Sequence, residues 1–516
     1  MRQVLKTLRL SALLIFLFAI QPVKVFATLS GTYYIDATNG NDFATGKTGA
    51  NAWKSFDKVN SNVLSAGTKI LLKRGEVWNQ RLEIRGCGTA QEWICVDAYG
   101  LGDLKPKISL KNQKNDIAIL ICDLDKTTGK AKTQNISYIQ IRDVELANTR
   151  MGIYYRSIMG TTNTGFRVEK VIFNNINCDE VMMACNADTD KEVKNAEIGK
   201  QLGVAKGNLQ TPKGNADGGR KEYIFPAAIF IGGKTYPNQQ VNGFHTTILT
   251  EFEVSDCQFN ETIAGIMSTF YWPFNGGDGD NVWRQLIHKV KVTNCTGTGI
   301  VNGMIAFDGI NGGAAPDENG VMQPDANGWG GLKNVSVKMG AKVPGRTWPN
   351  GTTGVIFSNT QNFLVDSCEF SDLLNQGNPD GCGFDFETNN HQITIQNTKF
   401  FNNDGHAILL MNGGVFGGNS NIIIQKNLFA NNMKSSNSDY EMFFSRTEDG
   451  HRNVKVSNNI AFLRTTNKES KAIGFLNPTR TYVSASDNKV YYLNDSAQAV
   501  EVRFLGKNYT FQALDN

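Results

Sequence analysis

Over most of the chain, apolar and polar residues alternate one for one in short runs that break at Asn, Asp or Gly. One unit recurs: apolar, any, apolar, any, polar, small, any, often Phe. It appears in Ile139-Gln-Ile-Arg-Asp-Val144-Glu-Leu146, Phe252-Glu-Val-Ser-Asp-Cys257-Gln-Phe259 and Val290-Lys-Val-Thr-Asn-Cys295. It returns in Phe363-Leu-Val-Asp-Ser-Cys368-Glu-Phe370, Ile393-Thr-Ile-Gln-Asn-Thr398-Lys-Phe400, Ile422-Ile-Ile-Gln-Lys-Asn427-Leu-Phe429 and Val454-Lys-Val-Ser-Asn-Asn459. Period-two alternation predicts half-buried strands. Several units are followed by a glycine and a second apolar run (Gly152-Ile153, Gly265-Ile266, Gly299-Ile300, Gly383-Phe384). Cys368 to Thr398 is 30 residues, Thr398 to Asn427 is 29 and Asn427 to Asn459 is 32. A repeat of that length made of short strands predicts a solenoid of stacked β-coils, a parallel β-helix. Asn pairs at the breaks (Asn402-Asn403, Asn431-Asn432, Asn458-Asn459) suit sharp corners, because Asn tolerates left-handed backbone.

The two ends depart from this pattern. Residues 1–27 read as a secretory signal peptide: Arg2, Lys6 and Arg9, then the apolar run Leu10–Ile20, then Val25-Phe26-Ala27 as a cleavage site. That run is shorter than the ~20 residues a bilayer span needs. The expectation is a protein that is secreted or periplasmic, without a membrane span, and monomeric. The signal holds four of the 52 basic residues, so the remainder has 48 against 48 acidic ones. A balanced chain without a basic block argues against nucleic acid as partner. Residues 28–516 are then one β-helix domain, with 28–75 forming an N-terminal cap and first coil. Of nine cysteines, Cys257, Cys295 and Cys368 hold the same place in the unit and are expected as small buried residues in a stack. Cys87 and Cys95 are the best candidates for a bridge.

The segment Tyr33-Tyr-Ile-Asp-Ala-Thr-Asn-Gly-Asn-Asp42, with Ala52-Trp-Lys-Ser-Phe-Asp-Lys-Val-Asn60 and Gly67-Thr-Lys-Ile-Leu-Leu-Lys-Arg-Gly-Glu-Val-Trp78, resembles the start of secreted proteins of the pectate-lyase-like superfamily. The resemblance implies an all-β, right-handed parallel β-helix solenoid with an N-terminal cap. It also implies a carbohydrate polymer or oligosaccharide as partner, and it leaves the activity open among lyases, hydrolases, epimerases and binding proteins.

Candidate chemistry concentrates in Gly383-Phe384-Asp385-Phe386-Glu387. If Phe384 and Phe386 face the core, Asp385 and Glu387 both face out, Cα atoms roughly 6.5–7 Å apart. Paired carboxylates suit glycoside hydrolysis, one as acid and one as base or nucleophile, with Asp404 and His406 as further catalytic candidates one coil on. Carbohydrate cleavage by hydrolysis is the expected activity, with no cofactor. A uronate lyase is the alternative, and it would call for Ca²⁺, for which Asp385 and Glu387 are a partial ligand set. Cys382-Gly383-Phe384-Asp385-Phe386-Glu387 is also similar to the Tyr-Gly-x-Asp-x-His motif of alginate C5-epimerases. Asp385 matches that family's catalytic Asp, whereas Cys382 and Glu387 replace its Tyr and His. A non-catalytic carbohydrate-binding β-helix is the remaining alternative. Long insertions carry Trp272, Trp329 and Trp348, expected to stack on sugar rings, and Arg156 and Arg446 are candidates for an acidic sugar or a catalytic role. His391 and His451 read as surface residues in turns.

Overall fold

The computed structural model describes residues 27–110, 117–122, 135–158, 162–176, 226–234, 248–268, 287–340, 352–375, 381–411, 418–434, 440–444, 451–464, 471–475, 482–493, 500–503 and 509–512. The repeat unit folds as one corner of a triangular coil. Leu249–Ser255 is a strand of one sheet, Asp256 turns with φ of +53°, Cys257 points inward, and Gln258–Asn260 opens the second sheet. Ala264–Ser268 then lies in the third. Stacking coil on coil yields three long sheets of 15, 13 and 11 strands. Each coil advances to a parallel neighbour in the same sheet, and such crossovers are right-handed. The fold is a right-handed parallel β-helix. In these three sheets the described strands pair antiparallel only at the C-terminal end, Tyr482–Ser486 with Tyr509–Gln512 and Lys489–Leu493 with Val500–Arg503.

One apolar core runs from Tyr33 to Val490. The recurring Phe of the unit explains part of its order, because each ring lands on the equivalent ring one coil away. Phe173 and Phe259 stack at 4.9 Å, and Phe370, Phe400 and Phe429 follow one another at 5.4 Å each. The corner between the first two sheets uses one left-handed residue per coil, with φ from +51° to +56° at Asp143, Lys170, Asp256, Asn294, Asn334, Ser367, Asn397, Lys426, Asn458 and Asp487.

The residue after each of these forms a column, Val144, Val171, Cys257, Cys295, Val335, Cys368, Thr398, Asn427 and Asn459, all buried, and then half-buried Asn488. Midway it changes from apolar to amide, and the amides form a ladder. Asn427 Nδ2 donates to Asn459 Oδ1 at 3.1 Å and to the Ile395 carbonyl at 2.9 Å, while its own Oδ1 accepts from the Thr398 N–H at 3.0 Å. Two further ladders occupy the other corners. Asn403 donates to Asn432, which donates to Glu441 Oε2 at 2.6 Å. Asn390 donates to Asn419, whose backbone N–H reaches His451 Nδ1 at 3.3 Å. Each buried amide satisfies one coil and is satisfied by the next.

Two expectations need correction here. His451 is fully buried as the last rung of a ladder, not a solvated turn residue. Cys87 and Cys95 are both free thiols, and Cys95 Sγ instead donates to Gln140 Oε1 at 3.4 Å. The stack of Cys257, Cys295 and Cys368 is present, and burial pushes the Cys368 thiol up to about 12. At the N-terminal end, Thr32–Ile35 pairs with Lys69–Lys73 as the first strand of the largest sheet. The short helix Asp57–Asn60 is held by buried Phe56 and Val59, with the Phe56 ring 5.5 Å from that of Trp78.

Candidate functional site

Phe384–Thr388 is a strand of the 11-stranded sheet. Phe384 and Phe386 are fully buried in the core, their rings 4.6 Å apart. The pleat therefore turns Asp385 to the outer face. Gly383 makes this possible, because a Cβ there would sit 2.3 Å from Phe400 Cδ1 and 2.7 Å from the Ala407 carbonyl oxygen.

The outer face at Asp385 is not open solvent. Asp385 is only 4% exposed, whereas Glu387 is half-buried. Ladder register places Asp385 in a row that runs Glu83, Leu120, Tyr154, Phe230, Met267, Ala306, Ile356, Asp385, Leu409, Phe443, Gly474. From Leu120 to Leu409 its other members are apolar or aromatic, while Glu83 at the far end is a buried acid paired with Arg81 and Arg85; Tyr154 and Phe230 are fully buried although they point away from the core. A carboxyl in such a row is costly to bury unless polar groups meet it. Beside it the ladder slips: Phe357 opposes Phe386 and Ser358 opposes Thr388, so Glu387 is an extra residue on a β-bulge. Bulges re-aim side chains and recur next to active sites.

The next outer row contains Arg156 and, three rungs further on, Asp308, which is opposite Ser358. Asp308 is 7% exposed, and its Oδ1 accepts from Asn359 Nδ2 at 2.9 Å. No sequence signal singled out Asp308, which stands in Ala306-Phe307-Asp308-Gly309 just before an insertion. The alternation Phe307 in, Asp308 out, one residue ahead of a corner glycine, was the available clue.

The remaining candidates scatter. Arg156 is fully buried with Nη1 3.8 Å from Cys122 Sγ. It lies five rungs from Asp385, about 24 Å at ~4.8 Å per rung, so the two do not share a site. Asp404 belongs to a corner, where Oδ2 accepts from the Asn375 N–H at 3.2 Å and Oδ1 lies 3.8 Å from Lys434 Nζ. His406 is buried just before the strand Ile408–Leu410, and its carbonyl accepts from the Gly383 N–H at 3.1 Å. Trp329 is buried, 6% exposed, in an insertion laid over the outer face of a different sheet. There Met322 packs on Leu364 and its N–H donates to Thr394 Oγ1 at 3.0 Å. Trp329 is therefore a packing residue, away from Asp385. Trp272, Trp348 and Arg446 lie outside the described residues. His391, read as a surface residue, is half-buried and hydrogen-bonded at both ring nitrogens, and burial lowers its pKa to about 4. Among the described residues no group of three or more His, Cys, Asp or Glu side chains is placed to hold a metal ion. None of the described helices is long and apolar enough to cross a membrane.

No protein-family model matches the chain, and no curated protein matches it in sequence. Solved structures match it in shape. The native GH136 lacto-N-biosidase from Eubacterium ramulus is similar with a TM-score of 0.56 at 14% identity, over 90% of this chain and 68% of that one. The A-module of a mannuronan C-5 epimerase from Azotobacter vinelandii gives a TM-score of 0.39 at 10% identity, over 83% of this chain and 87% of that one. At such identities the likeness is one of fold, and the second is too low to bear on anything further.

Proposed function

We propose that the protein is an exported carbohydrate-active enzyme that hydrolyses glycosidic bonds, with Asp385 and Glu387 at the reacting centre. The observation that carries this reading is Asp385 itself, a buried outward acid set between Ile356 and Leu409 in a stretch of apolar and aromatic side chains, next to a bulge at Glu387. Apolar surface suits the C–H faces of sugar rings, and a carboxyl pair within it suits protonation of a leaving oxygen and attack at the anomeric carbon. The fold is shared with a lacto-N-biosidase, so a parallel β-helix of this kind can house a glycosidase.

Incubation with a panel of neutral, amino-sugar and uronate oligosaccharides tests this. Hydrolysis gives new reducing ends without ultraviolet absorbance and without loss in chelator. An unsaturated, absorbing product that disappears with chelator would refute hydrolysis. Asp385→Asn and Glu387→Gln, made separately, should each lower turnover by roughly 10²–10⁴. Near-normal rates in both would remove this pair from the mechanism.

A further inference from the structure

We infer that Asp308 is a third carboxylate of this active site, acting at the anomeric carbon from two rungs away and set in place by Asn359. The inference rests on the hydrolytic reading above.

Asp308 Oδ1 meets Asn359 Nδ2 at 2.9 Å, and an ionised carboxylate only accepts. Asn359 must therefore present its NH₂ to Asp308, which turns its Oδ1 towards Asn389, whose Nδ2 donates at 3.1 Å. The Asn389 Oδ1 then accepts from His391 Nε2 at 2.9 Å. With its proton on Nε2, neutral His391 offers Nδ1 as acceptor to the Ser420 hydroxyl. The chain Ser420, His391, Asn389, Asn359, Asp308 thus runs one way, every donor aimed towards the carboxylate. Burial, which pushes the His391 pKa down to about 4, keeps the imidazole neutral in support of the same pattern.

A solvated surface acid needs no such chain. This one is 7% exposed, turned outward by buried Phe307, and in register through Ser358 with Thr388, the residue after bulged Glu387. Two rungs separate Asp308 from Thr388, about 10 Å between Cα atoms. One glycosidic linkage is placed across that span. The bond from the anomeric carbon to the leaving oxygen breaks, and a carboxyl of the Asp385–Glu387 pair gives that oxygen a proton. Asp308 either takes a proton from the attacking water and passes it on to solvent, or bonds to the anomeric carbon itself, in which case a water deprotonated by the carboxylate that had acted as acid cleaves the glycosyl ester and frees Asp308. The products gain the elements of one water, the acid is reprotonated, and no redox change occurs. Asn359 is a positioning residue.

Asp308→Asn isolates the charge, because the amide oxygen still accepts from Asn359. Loss of at least 10³-fold in kcat is expected on both an oligosaccharide and an aryl glycoside with an activated leaving group, with the thermal midpoint little changed. Azide added to Asp308→Ala should restore turnover of the aryl glycoside and form a glycosyl azide. Asn359→Ala should lower kcat about tenfold and displace the pH profile, with KM little altered. Turnover of Asp308→Asn within threefold of wild type, while Asp385→Asn is inactive, would overturn the role of Asp308 and leave the hydrolytic reading standing. A wild-type protein that cleaves no member of the panel would overturn both.

Discussion

Replacing Glu441 with Gln should abolish a specific slope in the stability of the molecule against pH. Glu441 is fully buried where the Asn403–Asn432 ladder ends, with Oε2 accepting from Asn432 Nδ2 at 2.6 Å and Oε1 without a partner among the described residues. Burial outweighs the hydrogen bonds from Asn432 and raises its pKa from 4.5 to about 8. The sign follows from proton counting. Between pH 4.5 and 8 the folded protein keeps a proton that the unfolded chain releases, so stability falls as pH rises across that window. At about 1.4 kcal/mol per pH unit the rise corresponds to roughly 5 kcal/mol, nearly all of it present at pH 4.5 and gone by pH 8. The amide of Glu441→Gln accepts the same bond and cannot ionise. Its NH₂ adds an unmet donor, which shifts the whole curve by a constant. The slope is therefore the quantity to read. Urea midpoints of both proteins at pH 5, 6, 7 and 8, followed by tryptophan fluorescence, should diverge steadily in favour of the variant as pH rises. Parallel curves, or a wild-type midpoint flat across the window, would show that Glu441 is ionised in the fold and refute the reasoning.

Other expectations follow from single contacts. The His391 ring should titrate near pH 4 by NMR, with its proton on Nε2 above that pH. Its share of stability is complete above about 6.5 and declines as pH falls towards 4, and a midpoint near 6.5 would contradict its burial. Asn427→Ala removes bonds to Ile395, Asn459 and Thr398 and leaves their buried partners unmet, so a loss of about 2–4 kcal/mol in denaturant melts is expected. An effect below half a kcal/mol would mean that the ladder is ornamental. Gly383→Ala forces a Cβ into Phe400 and the Ala407 carbonyl. A cost of about 1–3 kcal/mol, with activity lost because Asp385 shifts, is expected, and an unchanged melt would show that the strand has slack.

The fold was legible because the unit that sets it is local. Phe252, Val254, Cys257 and Phe259 state within eight residues which side chains face in, and each coil repeats the statement. Phe384 and Phe386 likewise told the direction of Asp385. Its burial was not legible, since it depends on an outer row built by residues from Leu120 to Leu409. The same distance hid Asp308, whose chain of amides joins three successive corners. His451 was misread, and Glu441 passed over, for a different reason. Glu441 and His451 take the place of asparagines, so a pattern sought in one residue type stops one rung early. The burial of Trp329 was not legible either, since it depends on how its insertion folds over a sheet where Met322 meets Leu364.

The inward column of Thr398, Asn427 and Asn459 makes the molecule's length a matter of whole turns. Residues 398–426 begin and end at equivalent corners, since Asn397 and Lys426 share a left-handed backbone at φ of +51° and +56°. Cut at those corners, the chain closes again in kind: Asn427 falls beneath Cys368, Phe429 on Phe370, Asn432 beside Leu373 and His451 under Asn390. What changes is the length of each sheet, shorter by ~4.8 Å, so the reach of such a scaffold is set by counting coils rather than by redesigning any one of them.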